Sequence, residues 1–290
     1  LNDVEMAQQN RQWQNVISKL ETAIPLARAN TIPQDMQSAL AINVNYPALF
    51  NAAFGNSEIT VSKIAMAIAT YERTLIADQT PWDKFIAGDN SAMTANQIAG
   101  WESFTGEALC AGCHIPPLFT DNKYHNIGLR PAQEDIGRMA VTGNTADIGA
   151  FKTPTLRNSG LKRALTHAGF IRSVGDAVGF YAANPVNNRH QQFRENQSPV
   201  PTLDPNVTAG FTEVAEAIRN RNIRNSIVDF IENALTDPRV ANAEFPFDRP
   251  TFGNRNQNNQ PQPPPPTGNI QPPQNPPNNG RPLPPRRNGG

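Results

Sequence analysis

Apolar residues recur at helical rather than strand spacing along most of the chain. Trp13, Val16, Ile17 and Leu20 share one face of a helix predicted over Gln12 to Leu20. Ile64, Ile68, Tyr71 and Leu75 repeat that pattern within Ile59 to Leu75, where Ser57 or Thr60 is placed to cap the helix. A third helix is predicted from Asn96 to Phe104, opened by Thr94 and ended by Gly106. From Ile115 to Leu161 the periodicity gives way to Gly, Pro, Asn and Asp, the composition of loops. Ser173 with Asp176 opens a short helix through Tyr181, and Ile218 to Leu235 reads as one long final helix. Alternating strand patterns are nearly absent, so the expected fold class is all-α.

Composition changes this picture at the C-terminal end. Of 27 prolines, 14 lie from Pro246 onward, in a stretch without the periodic apolar residues that would offset the entropy of ordering it. Residues 249–290 are therefore expected to form a disordered Pro/Asn-rich tail. The formal net charge of zero hides an asymmetry: five arginines and no acids lie from Arg249 onward, leaving 20 bases against 25 acids before it. A mildly acidic body argues against nucleic acid as a partner, and the basic tail reads as a solvated spacer. No run approaches the roughly eighteen consecutive apolar residues of a transmembrane helix. The sequence begins at Leu1 rather than Met, as expected of a processed or truncated product.

The candidate chemistry lies at Cys110-Ala-Gly-Cys113-His114. Two thiols separated by two residues can add across the two vinyl groups of one haem, and the adjacent imidazole then falls beneath the iron as its proximal ligand. A redox dithiol usually follows a strand, and a zinc site needs two further ligands at matching spacing; neither context is apparent. A disulfide closing so short a loop would add little. The expectation is one covalently held haem c, and with it an oxidising, periplasmic or extracellular location. Met139, His125, His167, His190 and several tyrosines remain candidates for the sixth iron position. Spacing does not choose among them, because a lone Met or His more often packs or hydrogen bonds than ligates.

Several strings, in order, resemble bacterial dihaem cytochrome c peroxidases: Ile59-Thr60, Tyr71-Glu72-Arg73-Thr74-Leu75, Cys110 to His114, Pro117-Leu118-Phe119-Thr120-Asp121, Tyr124-His125-Asn126-Ile127-Gly128, Phe151 to Asn158, and His167-Ala168-Gly169. The similarity runs from near residue 1 to about Pro250. It implies a cytochrome c-like haem domain over residues 91–248, preceded over 1–90 by a helical remnant of the family's N-terminal, peroxidatic domain and its connecting helices. The resemblance places this chain as the electron-accepting half. A small redox protein, a cytochrome or cupredoxin, would reduce its haem, which passes electrons toward hydrogen peroxide reduction. The alternative is a monohaem electron carrier without turnover, and a third reading is an enzyme that oxidises a protein or small substrate.

The resemblance also assigns residues. Glu5 is the counterpart of the family's acid-base glutamate over the peroxidatic haem. The distal-ligand role goes to Tyr181, because its helix contains no Met, with Met139 as the alternative. Arg157 and His125 are candidates for the haem propionates, and Trp101 for electron relay, although an aromatic on an apolar face is usually core. A calcium ion at the family's domain interface would map near Lys162 and Ala164, and a homodimer is admitted. The family's first Cys-x-x-Cys-His is absent, so a second haem is expected in an upstream part. His167-Ala168-Gly169 stands where the family has His-Asp-Gly.

Overall fold

The computed structural model describes residues 12–42, 45–129, 135–182 and 211–253. These divide into two compact units: Leu1–Ile64 with Pro250–Gly290, and Ala65–Arg249.

In the first unit, helix α1 (Trp13–Thr22) turns Trp13, Val16, Ile17 and Leu20 onto Phe50, Ile59 and Ile64, the face its periodicity predicts. A short strand β1 (Ala29–Thr31) leads to α2 (Gln34–Ile42) and α3 (Tyr46–Phe54). Asn45 caps α3 by accepting from Ala48 N at 2.9 Å, and Gly55 ends it in the left-handed region at φ 79°. Helix α4 (Val61–Glu72), of which only the first turn to Ile64 belongs to this unit, is capped by Thr60, whose hydroxyl accepts from Lys63 N at 3.2 Å.

The second unit holds α5 (Pro81–Ile86) and α6 (Ala95–Thr105) ahead of the motif. Thr94 and Gln97 form a reciprocal capping box on α6, and Gly106 closes it by donating to Glu102 O at 2.8 Å. The loop-rich stretch that follows contains β2 (Tyr124–His125), a single turn α7 (Met139–Thr142) and β3 (Phe151–Lys152). Strands β2 and β3 pair antiparallel, Tyr124 with Lys152 and His125 with Phe151. Helix α8 (Val174–Ala182) starts at the predicted Ser173 cap, which accepts from Asp176 N at 3.0 Å. Next come α9 (Phe211–Ile218), α10 (Arg221–Asp229) and α11 (Pro238–Asn242).

The core of this unit gathers Trp82, Phe104, Phe119, Val178, Ile227, Phe230 and Leu235. Its tightest crossing is α6 on α10. A Cβ built on Gly100 would lie 2.1 Å from the Ser226 carbonyl oxygen, so only glycine lets the two backbones approach this closely.

The fold is mostly helical rather than strictly all-α, since two short antiparallel strand pairs are present. The helix expected over Ile218 to Leu235 starts slightly later, at Arg221, where Asn220 caps α10 by accepting from Asn222 N at 3.0 Å, and its last turn, Phe230 to Ala234, is a π turn. The tail does not start at 249 as unpaired chain, because strand β4 (Thr251–Phe252) pairs antiparallel with β1. Trp82 and Phe85 of α5 pack into the core of the second unit. Among the described residues no helix is long and apolar enough to cross a membrane.

Candidate functional site

The motif begins where Leu109 takes a left-handed conformation, φ 52°, turning the chain into a single 3-10 turn, Cys110–Gly112. The Cys110 carbonyl accepts from Cys113 N at 3.3 Å and from His114 N at 3.0 Å, so the five residues close on themselves. Cys110 and Cys113 are free thiols. Burial pushes the Cys110 thiol up to about 12, and burial with the nearby Asp121 carboxylate raises Cys113, so both are neutral thiols near neutral pH.

His114 Nδ1 lies 2.9 Å from the Phe119 carbonyl oxygen. A carbonyl only accepts, so the proton sits on Nδ1 and the Nε2 lone pair is left for a metal. Burial lowers the imidazole pKa, against the backbone of Phe119 and the Asp121 charge, and keeps the ring neutral. Phe119 is fully buried, its ring 4.8 Å from Trp82, 5.9 Å from Phe104 and 6.1 Å from Phe230. A rigid aromatic cluster thus carries the carbonyl that orients the imidazole.

Tyr181 reaches the same cluster from α8, as does Cys110. Burial, then the proximity of Cys110 and Cys113, raises its phenol well above the usual range. Met139 opens α7, partly buried, and belongs to none of the apolar clusters that hold the motif. Glu5 and His190 lie outside the described residues. His167 stacks on Phe151 with ring centroids 3.4 Å apart, its Nε2 2.9 Å from Asp135. Trp101 packs 5.5 Å from both Trp82 and Phe230, within the core. Lys162 and Ala164 lie on an exposed loop.

Arg157 is placed differently from the propionate expectation. Its Nε donates to Pro117 O at 2.8 Å, Nη1 to Ala77 O and Asp83 Oδ2 at 2.8 Å each, and Nη2 to Asp83 Oδ1 at 2.7 Å. Four of its five N–H donors are committed to protein acceptors, which makes it a clamp on the loops around the motif.

One grouping escaped the sequence reading. Asp121 Oδ2 lies 2.7 Å from His125 Nε2, and one ligand atom each from Cys113, Asp121 and His125 fall within 4.8 Å of one another. Burial of Asp121 is outweighed by His125 and the Lys123 amide, which hold its carboxyl down at about 2. The i, i+4 spacing of Asp121 and His125 was the available signal.

Residues 1–91 match the model of the di-haem cytochrome c peroxidase family. Methylamine utilization protein MauG of Methylorubrum extorquens is 35% identical over 180 residues, covering 59% of this chain and 50% of that protein. Cytochrome c551 peroxidase of Nitrosomonas europaea is 32% identical over 167 residues, covering 55% and 50%. In fold, the chain is similar to a MauG-like protein associated with microbial copper homeostasis, with a TM-score of 0.58 at 19% identity over 74% of this chain and 64% of that one. The class is thus a mostly helical one built around a Cys-x-x-Cys-His turn. Over these stretches the chain is similar to members of the di-haem cytochrome c peroxidase family. It spans about half the length of these curated relatives.

Proposed function

We propose that this chain is the haem-bearing, electron-transferring portion of a cytochrome c peroxidase-like oxidoreductase. The residues fit a c-type haem: Cys110 and Cys113 would tether it, His114 would hold the iron through Nε2, and Tyr181 would be its second protein ligand. When bound, the group supplies one-electron transfer. The chain's own part is to orient and to exclude water. Phe119 keeps the proton at His114 Nδ1, the aromatic cluster dries the pocket, and the Tyr181 phenol brings an oxygen ligand that favours the ferric state once deprotonated. The observation that carries the reading is that Tyr181 and Cys110 pack against one apolar cluster, with Cys113 close enough to raise the Tyr181 phenol, beside an imidazole whose Nδ1 is held by the Phe119 carbonyl.

A periplasmic or extracellular small redox protein, a cytochrome or cupredoxin, is the donor, and hydrogen peroxide is reduced at a second haem outside this chain. The family match over residues 1–91 supports that division. The second reading is a monohaem carrier, with the single attachment motif of these 290 residues as its whole cofactor site. A pyridine haemochrome count on the intact matured protein, with an assay of peroxide-dependent oxidation of a reduced cytochrome, tests both. Two haems and turnover support the enzyme, one haem without turnover supports the carrier, and colourless protein overturns the haem assignment itself.

A further inference from the structure

Of the Cys113, Asp121 and His125 grouping the haem reading uses only the Cys113 sulfur, and the chemistry of the three together is that of a metal site. Its three ligand atoms lie within 4.8 Å of one another, a spacing that a small cation with bonds of about 2.0–2.3 Å closes by modest side-chain movement. The donors are one sulfur, one imidazole nitrogen and one carboxylate oxygen, a set that suits zinc-class ions and not magnesium or calcium. The site is also partly built. Asp121 Oδ1 accepts from Lys123 N at 2.8 Å while Oδ2 meets His125 Nε2 at 2.7 Å, so the carboxylate is oriented before any ion arrives. Strand β2 fixes His125 opposite Phe151. Ion binding displaces the Cys113 thiol proton to solvent, after which thiolate and carboxylate together balance a divalent charge, with the Lys123 ammonium opposing it. The Cys-x-x-Cys spacing by itself lacked the further ligands a zinc site needs, and Asp121 and His125 supply them through the loop.

We propose that Cys113, Asp121 and His125 bind a thiophilic divalent cation of the zinc class while the Cys113 thiol is unattached. A thioether at Cys113 removes the thiolate, so the ion and the tethered porphyrin exclude each other at this sulfur. That exclusion rests on the haem reading; the ion site does not. Asp121 and His125 then act as a metal-sensitive checkpoint on the immature chain.

The test uses the full chain made without haem-attachment machinery, reduced and metal-free, titrated with Co²⁺ alone and then with Zn²⁺. One Co²⁺ per chain is expected, with a thiolate-to-cobalt absorption band that Zn²⁺ abolishes. The band survives Cys110→Ser, disappears in Cys113→Ser, and needs at least about tenfold more Co²⁺ in His125→Ala and Asp121→Asn. No band, or equal dependence on both cysteines, overturns the proposal. A second measurement does not require the haem-free chain to fold: cells with the attachment machinery are grown with and without added Zn²⁺, and haem per chain is counted. Zn²⁺ should lower haem content in the wild type and much less in His125→Ala; identical responses count against the site. Colourless matured protein at all Zn²⁺ levels would mark failure of the haem reading instead.

Discussion

His114 Nδ1 sits 2.9 Å from the carbonyl oxygen of Phe119, a residue whose own ring is locked among Trp82, Phe104 and Phe230. Ring tautomer and core packing are therefore one arrangement, made by two residues five apart in sequence. Thinning the core at Phe230→Ala should cost about 3–5 kcal/mol of stability. It should also loosen the imidazole, visible as a broadened axial-ligand signature in low-temperature electron paramagnetic resonance of the ferric protein. An unchanged spectrum in a destabilised variant would separate the two.

The double variant Cys110→Ala, Cys113→Ala should release all its haem into acidified organic solvent, whereas the wild type retains it on the polypeptide. Each single variant keeps one thioether and should shift the pyridine haemochrome band to longer wavelength. Retention of colour by the double variant would show that attachment lies elsewhere.

Replacing Tyr181 by Met exchanges a charge-donating oxygen for a thioether that favours ferrous iron. The midpoint potential should rise by on the order of a tenth of a volt or more, within the roughly 0.8 V that axial ligands span. Met139→Leu should leave it unmoved. If redox titration finds the reverse pattern, the distal ligand is Met139.

Asp83 is desolvated by burial, yet its pKa is lowered because Arg157 and Thr80 hydrogen bond the ionised form. A depressed carboxylate stabilises the fold above its unfolded value of 3.8 and loses that contribution as pH falls through the lower folded value. Acid unfolding should accordingly start at higher pH in Asp83→Asn than in the wild type. Arg157→Ala should cost about 3 kcal/mol at neutral pH, since it strands a largely buried carboxylate. Denaturant titrations at pH 3 and pH 7 check both, and the Arg157→Ala deficit should be smaller at pH 3.

Two glycine substitutions give opposite expectations. Gly100→Ala forces a methyl against the Ser226 backbone and should destabilise by about 3 kcal/mol or more. Gly175→Ala, in the first turn of α8 with Ser173 Oγ 3.8 Å away, has room and should stabilise by up to about 1 kcal/mol. Thermal unfolding of the pair reads the difference directly.

Helix α1 was legible from its 3.6-residue apolar stripe, and α4, α6 and α8 also from caps that the backbone uses: Thr60, Thr94 and Ser173 all accept from the amide three residues on. The helix over 218–235 was legible from its apolar stripe, while its start was placed early because Asn220, the cap that opens it at Arg221, is a weaker signal than the stripe. The cysteines and histidine of the site are contiguous and so were readable. The partners of Arg157 were not, because Asp83 lies 74 residues away and Ala77 lies 80 away. Asp121 and His125 were visible as residues, but only the turn from Cys113 to β2 brings them to the sulfur. Thr251 and Phe252 were hidden by the proline-rich composition that follows them.

Strand β4 pairs with β1 across more than two hundred intervening residues, Thr251 meeting Thr31 with their hydroxyl oxygens 2.6 Å apart. The first unit is therefore assembled from both ends of the described chain, with the second unit spliced between its halves. During synthesis the inserted unit emerges complete while its host still lacks a strand. The haem-motif unit can thus reach its own fold first, and closure of the outer unit waits for the last strand to leave the ribosome.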